Sequence, residues 1–388
     1  MSESDTFSPK PQTIAAAHGV ASDVAFGAIA PPLYLSTTFQ FAGFDAPGDY
    51  DYGRCANPTR DMLADAIAAL EEGAGAVVTP SGMAAADLLF GRLKAGDVVI
   101  APHDCYGGTM RLLKARAALG HLTLTLVDQR DDAAVAAALE SRPALLLIET
   151  PSNPLMRVTD IAALAERAKQ AGALVAVDNT FLSPALQKPL TLGADYVIHS
   201  TTKFINGHSD VISGAVVAAD AERARQLRHW ANVTGAIASP FDSWLTLRGL
   251  RTLFARMQGQ ERNAFAVAEH LAAHPAVARV HYPGLAAHPD HALAARQQSG
   301  FGAMMSVELK GGVEAVRRFV AQVRVFTLAE SLGGVESLVA HPATMTHVDM
   351  GAEARARAGI GDDLLRLSVG LEHADDLLAG LDAGLRDC

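Results

Sequence analysis

Cysteine is scarce in this sequence. Only Cys55, Cys105 and Cys388 occur, far apart and without a CxxC pair. An odd and scattered set of cysteines argues against a disulfide framework and against a structural zinc site. The histidines show no ligand spacing with a carboxylate partner, so no metal is predicted. We therefore expect free thiols and a reducing compartment, the cytoplasm.

Positive charge is also in short supply. The 388 residues include 32 Lys and Arg against 42 Asp and Glu, which gives a formal net charge of −10. Because nucleic acids are bound by basic faces, the sequence predicts no nucleic-acid partner. It has neither a GxGxxG nor a Walker pattern, which argues against a nucleotide-binding α/β protein.

Long apolar runs are absent as well. No run approaches the roughly 20 residues that a membrane-spanning helix needs, so we expect no membrane partner. Residues 1–11 are polar and acidic, without the basic and apolar parts of a signal peptide. Internal repeats and low-complexity segments are lacking.

The length predicts more than one domain. Residues 1–58 are rich in Gly, Pro and Asp and are expected to form an irregular, extended arm. Residues 59–250 alternate short apolar runs with helical patterns, which is typical of a mostly parallel sheet covered by helices on both faces. Residues 251–388 alternate less regularly and predict a smaller α+β domain. The predicted fold class is therefore α/β.

Individual elements follow from the spacing of apolar residues. The predicted strands are 75–79, 97–102, 122–128, 144–150, 173–180, 194–200, 212–219, 277–283, 302–309 and 364–372. The predicted helices are 59–72, 81–93, 107–120, 160–172, 250–274 and 312–323.

Ligands of open α/β sheets bind beyond the carboxyl ends of the strands, and three strand ends carry reactive groups. Ser81 and Gly82 open a helix whose free N–H groups suit an anion, although a plain N-cap explains such a pair more often. Asp178 ends an apolar strand, where a carboxylate needs a cation or caps the next helix. Lys203 lies between two apolar runs, where poor solvation lowers the pKa of an amine and makes it a nucleophile.

These three groups match the needs of pyridoxal phosphate. The cofactor requires a lysine for its covalent link, a carboxylate facing the ring nitrogen and an anion site for its phosphate. Tyr106, in HDCYGG after the second strand, is suitably placed to cover the ring, or is an ordinary loop aromatic.

Longer motifs carry a family resemblance. They are DYGRCANPTRDML, PSGMAA, HDCYGGTMRLL, ETPSNPL, VDNTFLSPALQKPLTLGADYVIHSTTKFINGHSDVISG and TLAESLGGVESL. These segments resemble the Cys/Met-metabolism family of pyridoxal-phosphate enzymes over nearly the whole chain, from PPLYLSTTFQF to LLRLSVGLE. The resemblance implies a fold-type I, aspartate-aminotransferase-like architecture with a mostly parallel seven-stranded sheet.

The resemblance also implies roles in cofactor binding. Lys203 forms the covalent link and serves as the catalytic base, Asp178 pairs with the ring nitrogen, and Tyr106 stacks on the ring and takes part in catalysis. The other implied cofactor-binding residues are Tyr52, Arg54, Ser81, Gly82, Met83, Thr180, Ser200 and Thr202. Tyr52 and Arg54 are implied to reach the phosphate of a neighbouring subunit. Active sites would then be shared within dimers of a homotetramer.

The implied substrate is a small amino acid. Arg366 is implied to hold its α-carboxylate, because the planar guanidinium bonds a carboxylate bidentately. The other implied substrate-binding residues are Asp51, Tyr52, Arg111, Asn153, Asn232, Glu330 and Ser331.

Two of these residues bear on the reaction. Arg111 is implied to meet the distal carboxylate of O-succinylhomoserine, or is a solvated helix arginine. Glu330 suits the amino group of a second amino acid or of a thioether substrate, which favours γ-replacement or γ-elimination. The Ser-Pro-Phe-Asp-Ser run at 239–243 also occurs in γ-eliminating members. Synthesis of a thioether, its cleavage, and sulfhydrylation of the homoserine ester therefore stay open.

Overall fold

The computed structural model describes residues 8–388. The prediction that residues 1–11 form no signal peptide concerns mainly residues 1–7, which lie outside this range. The α-helices of the described part are α1 Pro11–Ala17, α2 Pro58–Glu71, α3 Gly82–Phe90, α4 Gly107–Ala118, α5 Asp132–Leu139, α6 Ile161–Gln170, α7 Ser183–Leu186, α8 Ala221–Thr234, α9 Pro240–Leu250, α10 Leu253–Ala273, α11 His291–Gln297, α12 Gly312–Gln322, α13 Ala352–Ala358 and α14 Ala374–Leu385.

The first sheet has seven strands in the order β1-β7-β6-β5-β4-β2-β3. Neighbouring strands are parallel except that β7 runs antiparallel to both β1 and β6. This confirms the predicted mostly parallel sheet. The strands are β1 Gly75–Thr79, β2 Val98–Pro102, β3 Thr123–Val127, β4 Leu145–Glu149, β5 Leu174–Asp178, β6 Tyr196–His199 and β7 Gly214–Ala218.

The sequence of these strands explains why they lie in the middle of the molecule. Strands β1, β4, β6 and β7 are buried along their whole length, which fits their continuous apolar runs. Helices α3 and α8 pack with one apolar cluster of the sheet, and α5 and α6 with another. With both faces covered, polar side chains concentrate where the strands end.

A second sheet follows in the C-terminal part, with the order β10-β11-β12-β9-β8. Only the pairing of β10 with β11 is parallel. The strands are β8 Val277–His281, β9 Met304–Leu309, β10 Thr327–Leu328, β11 Leu338–Ala340 and β12 Leu364–Ser368. Helices α10, α12 and α14 contribute to the apolar core that covers this sheet. The domain boundaries at residues 58 and 250 stay a prediction.

The N-terminal region differs in part from the irregular arm that its sequence predicts. Helix α1 begins at Pro11, a residue favoured in the first turn of a helix, and packs against α2. The following residues, up to Asn57, form only isolated bridges, Thr38 with Tyr52 and Gly43 with Ala46. Within residues 8–388, no helix is both long and apolar enough to cross a membrane.

Candidate active site

A cavity of about 480 Å³ opens at the carboxyl ends of the central strands of the first sheet. Its walls come from the loops after β1, β2, β4, β5 and β6, together with residues 330–332, residues 345, 346, 348 and 349, and Arg366 of the C-terminal part. This is where ligands bind in open α/β sheets. Most of the residues singled out from the sequence therefore line one cavity.

Lys203 lies in the loop that joins β6 to β7. Its Nζ donates a hydrogen bond to Ser331 Oγ at 2.8 Å. Burial, together with the nearby Arg366, lowers the pKa of Lys203 to about 8, although Glu330 opposes this shift. About half of the amine is therefore neutral at pH 8 and about a tenth at pH 7, and the neutral form is the one that a nucleophile or a base requires.

Asp178 is the last residue of β5 and faces the same cavity. Its Oδ1 accepts the backbone N–H of Thr180 at 3.0 Å. Burial raises the pKa of Asp178, although the hydrogen bonds from Thr180 and the nearby His199 oppose the rise. A cation beside this carboxyl group would favour its ionised form. The hydroxyl of Thr180 accepts the backbone N–H of Ser200 at 2.9 Å, which ties the ends of β5 and β6 together.

Helix α3 begins at the cavity wall. Ser81 is its N-cap, and the Ser81 hydroxyl accepts the backbone N–H of Ala84 at 3.0 Å. A Cβ atom at Gly82 would lie 2.8 Å from Ser200 Cβ, so only glycine allows this close approach. The free N–H groups of the first turn, including Met83, lie beside Ser200 at the end of β6. An N-terminus of this kind favours an anion.

The hydroxyl of Thr202 has two partners within its own loop. It donates to the Ser213 carbonyl oxygen and accepts the Ser213 N–H, both at 3.0 Å. These bonds close the base of the loop that carries Lys203. Thr202 still lines the cavity.

Glu149 is a site residue that the sequence reasoning missed. It ends β4 directly beside Asp178 in the sheet register, and its side chain is buried. Its Oε2 accepts the backbone N–H of Tyr106 at 2.8 Å, and its Oε1 accepts that of Asn153 at 3.3 Å. Burial and the neighbouring Asp178 raise the pKa of Glu149 well above its usual range. The same strand-end position that marked Asp178 applies to Glu149, within ETPSNPL.

Arg366, on β12, is buried and carries no carboxylate partner within hydrogen-bond distance among the described residues. Its two terminal nitrogens donate to Asn153 Oδ1 and to the Ser331 carbonyl oxygen, each at 3.0 Å. Burial lowers the pKa of Arg366 to about 10, while Glu330 opposes this. Ser331 has φ of +87°, an uncommon conformation for a residue other than glycine. The guanidinium remains charged at neutral pH and lies in the cavity wall, where it suits a carboxylate.

Arg111 lies at the rim of the cavity, in the second turn of α4. It forms an ion pair with Asp349, and both side chains are more than half exposed. Asp349 lies two residues after the buried His347, in the segment after β11. The sequence reasoning did not single out Asp349.

Four predicted residues do not line this cavity: Asp51, Tyr52, Arg54 and Asn232. They form a separate group, in which Arg54 donates to the side chain and the carbonyl oxygen of Asn232. The guanidinium of Arg54 lies 5.6 Å from the centre of the Tyr52 ring. One chain alone therefore does not bring the arm residues to its own Lys203.

The cavity suits pyridoxal phosphate on the observations above. Gly82 and Ser200 leave room for an anion at the start of α3, Asp178 lies ready for a cationic ring nitrogen, and the amine of Lys203 lies in the same cavity. No group of three or more His, Cys, Asp or Glu side chains in residues 8–388 is arranged to hold a metal ion. Fold and cavity together define a fold-type I, pyridoxal-phosphate-dependent enzyme.

The chain belongs to the Cys/Met metabolism PLP-dependent enzyme family, whose model matches residues 12–386. It is 52% identical to cystathionine gamma-synthase of Escherichia coli (strain K12) over 378 residues, which cover 97% of this chain and 98% of the relative. It is 45% identical to cystathionine gamma-lyase of Dictyostelium discoideum, over 95% of this chain and 96% of the relative.

Among solved structures, the cystathionine gamma synthase of Xanthomonas oryzae pv. oryzae in complex with cystathionine is 58% identical, with a TM-score of 0.97. The match covers 98% of each chain. This confirms the predicted family and the fold type.

Proposed function

We propose that the protein catalyses γ-replacement, in which the sulfur of L-cysteine displaces the acyloxy group from Cγ of an O-acylhomoserine, preferentially the succinyl ester, to give L-cystathionine and succinate. The proposal rests on one observation above all: a single cavity carries the buried Arg366 in its wall and Arg111 at its rim. Two separated guanidinium groups suit the two carboxylates of O-succinylhomoserine. The similarity to γ-synthases supports the same reaction.

Bound pyridoxal phosphate supplies the electron-withdrawing ring that stabilises negative charge at the α-carbon of the substrate. Asp178 would keep the ring nitrogen protonated, and the start of α3 with Ser200 would hold the phosphate. Tyr106, whose backbone N–H is bound by Glu149, would cover the ring. These residues would orient the cofactor in the cavity that contains Lys203.

Proton movement is the task of Lys203. With a pKa near 8, its neutral amine removes the proton from Cα and delivers it to the conjugated system that the bound cofactor would supply. Neutral again, the amine removes a proton from Cβ. The bond between Cγ and the ester oxygen breaks, succinate leaves as a carboxylate, and the cysteine sulfur bonds to Cγ as the thiol proton passes to solvent. Lys203 then returns one proton to Cβ and, in a further transfer, one to Cα. Arg366 holds the α-carboxylate during these steps, and Glu330 faces the amino group of the incoming cysteine.

A product assay tests this function. Purified holoenzyme is supplied with O-succinylhomoserine and cysteine, and separately with cystathionine alone. We expect cystathionine and succinate from the first reaction. Absence of cystathionine from the first reaction would overturn the proposal. 2-Oxobutanoate, cysteine and ammonia from the second reaction, as the main products, would assign the protein as a γ-lyase instead.

The run Ser239–Ser243, which also occurs in γ-eliminating members, does not bear on this choice. It forms the N-cap and first turn of α9, where the Ser239 hydroxyl accepts the backbone N–H of Asp242. None of its residues lines the cavity. The residues around the substrate, rather than this helix start, favour γ-replacement.

We further propose a homotetramer in which the arm of one subunit completes the site of another. The arm leaves large apolar side chains uncovered within one chain, and Val24, Phe26 and Phe44 are almost fully exposed. Tyr52 and Arg54 lie on the same arm, near Asn232 rather than near their own Lys203. A second subunit that covers the arm explains both observations. Three free cysteines support the cytoplasm as the compartment.

A further inference from the structure

The segment from His341 to Gly351 forms one side of the cavity rim. Met345, Thr346, Val348 and Asp349 all line the cavity. The segment runs in from β11 of the second sheet and meets α4 of the first part of the chain. At this meeting point Asp349 pairs with Arg111.

One part of this segment is buried and hydrogen-bonded, and another part is exposed to solvent. The His347 ring is buried and hydrogen-bonds through Nε2 to the Asn153 carbonyl oxygen at 3.1 Å. Burial and Arg366 lower the pKa of His347 to about 4, so this anchor is uncharged at neutral pH. By contrast, Val348 and Asp349 are more than half exposed. The buried His347 therefore fixes the part of the segment that places the Asp349 carboxylate beside Arg111.

We propose that Asp349 is a specificity-determining residue, because its carboxylate occupies Arg111 and must be displaced by the distal carboxylate of an acidic acyl group. This inference rests on the proposed function, since it takes Arg111 as the partner of the succinyl group. A neutral acyl group, such as acetyl, has no carboxylate to exchange with Asp349. Asp349 thus lowers the ratio of kcat/KM for the succinyl ester to kcat/KM for the acetyl ester.

The exposure of the pair sets the size of the effect. The side chains of Arg111 and Asp349 are 62% and 55% exposed. Ion pairs in contact with water contribute little to stability, so we expect the competition to reduce kcat/KM for the succinyl ester by about two- to fivefold. The contribution falls mainly on KM, because the exchange takes place on binding and far from the reacting bonds.

Asp349→Asn tests the inference. The variant keeps the shape of the side chain and removes its charge. We expect kcat/KM for O-succinylhomoserine to rise by about two- to fivefold, chiefly through a lower KM. The value for O-acetylhomoserine should stay as in the wild type. An unchanged ratio between the two esters, or a lower preference for the succinyl ester, would contradict the inference.

Glu353→Gln provides the matched control. Glu353 lies four residues further along, is exposed, and pairs with Arg357 rather than with Arg111. Glu353→Gln removes one negative charge from the same region. An equal rise of kcat/KM for O-succinylhomoserine in this variant would indicate general electrostatic repulsion of the acidic ester. Adding Arg111→Met to Asp349→Asn gives a second check. The effect of Asp349→Asn should disappear in that background, and its persistence would show that Asp349 acts on another group.

A binding measurement keeps this inference separate from the proposed function. Glutarate, an unreactive dicarboxylate, is titrated calorimetrically into wild-type and Asp349→Asn holoenzyme. Tighter binding to the variant, by about the same factor, supports the competition even if the wild type forms no cystathionine. Equal binding by both proteins argues against it. The wild type could form no cystathionine while glutarate still binds more tightly to Asp349→Asn. That result would count against γ-replacement and not against the competition by Asp349.

Discussion

At the scale of single residues, the lowered pKa of Lys203 has a direct consequence for cofactor capture. Only the neutral amine attacks the aldehyde of pyridoxal phosphate. We therefore expect the rate at which apoenzyme takes up the cofactor to rise with pH through a midpoint near 8. The growth of the visible absorption band after mixing, followed from pH 6 to pH 10, measures this midpoint.

Glu330→Gln provides the control for that midpoint. Glu330 raises the pKa of Lys203, so its neutralisation should move the midpoint to lower pH. Lys203→Ala should give no covalent band and no turnover at any pH. A wild-type midpoint close to the ordinary lysine pKa of about 10.4 would contradict the account of a poorly solvated amine.

Glu149 allows a second prediction at this scale. Both of its oxygens accept backbone N–H groups, from Tyr106 and from Asn153. Glu149→Gln leaves one acceptor and Glu149→Ala leaves none. An unpaired N–H group costs about 1–3 kcal/mol where it is buried, as at Asn153, and less where it is part-buried, as at Tyr106. We expect the melting temperature of the holoenzyme to fall in the order wild type, Gln variant, Ala variant.

Glu269 supplies the comparison, because it is an exposed glutamate on α10. Glu269→Ala should leave the melting temperature within the error of the measurement. If Glu149→Ala were as mild as Glu269→Ala, the two backbone bonds would not hold the loop of Tyr106. A KM increase in Glu149→Gln without a change of cofactor absorbance would place its effect on Asn153 instead.

At the scale of elements, a buried pair joins α2 to the end of β6. Glu71 Oε1 lies 2.7 Å from His199 Nε2, and both side chains are essentially inaccessible to water. The same oxygen accepts a hydrogen bond from Asn179, the residue after Asp178. Removal of Glu71 takes a buried hydrogen-bond partner from both His199 and Asn179, and each unsatisfied buried group costs about 1–3 kcal/mol. Glu71→Ala should therefore lower the melting temperature strongly.

The adjacent residue gives the matched variant. Glu72 pairs with Lys188 at the surface, with a separation of 2.6 Å between Oε1 and Nζ. An exposed pair of this kind contributes about 0–1 kcal/mol, so Glu72→Ala should be nearly silent. Calorimetry of the two variants decides the point. Equal melting temperatures would show that the buried contacts do not hold α2 against the sheet.

The elements differ in how well the sequence predicts them. The apolar runs of β1, β2 and β4 to β7 are nearly continuous, whereas β3 alternates threonine with leucine, and every one of these strands is found where it is expected. Strands β10 and β11 have two and three residues, too few for a periodic signal. The sequence does not predict helix α1, because the nearby Gly and Pro residues are typical of an irregular segment. The helix is only seven residues long and packs against α2, a contact that no local pattern indicates.

At the scale of the whole molecule, the proposed sharing of sites predicts complementation between subunits. Arg54→Ala removes the arm contribution and Lys203→Ala removes the catalytic amine, so each variant alone should be inactive. When the two variants are dissociated and reassembled together, half of the dimers are mixed and carry one intact site. We therefore expect about a quarter of the wild-type activity in the mixture, as isologous pairing requires.

A mixture of Lys203→Ala with Asp178→Ala is the control, because both changes fall in the same cavity. That mixture should stay inactive after reassembly. No recovery of activity in the mixture of Arg54→Ala with Lys203→Ala, together with a monomer in sedimentation, would contradict the shared site. The same sedimentation run distinguishes a dimer from the proposed tetramer.

The site could be predicted from the sequence only where its residues follow a strand. Asp178 and Lys203 are marked in this way, because an ionisable group beside a buried apolar run is costly. Glu149 also ends a buried apolar strand, so the same argument applies to it. It lies in ETPSNPL, a segment that contributes here to the family resemblance. The pairing of Arg111 with Asp349 joins residues 238 positions apart, and no local pattern encodes such a contact.

The origin of the cavity walls has an evolutionary consequence. Within one chain, the groups proposed to hold the cofactor lie at the strand ends of the seven-stranded sheet and in the loops that follow them, whereas residues 330–332, 345, 346, 348 and 349 come from the other part of the chain. Mutations in the second set can alter which acyl chain or thiol enters, while the cofactor remains bound. A gene duplicate could therefore drift toward a new substrate without passing through an inactive ancestor.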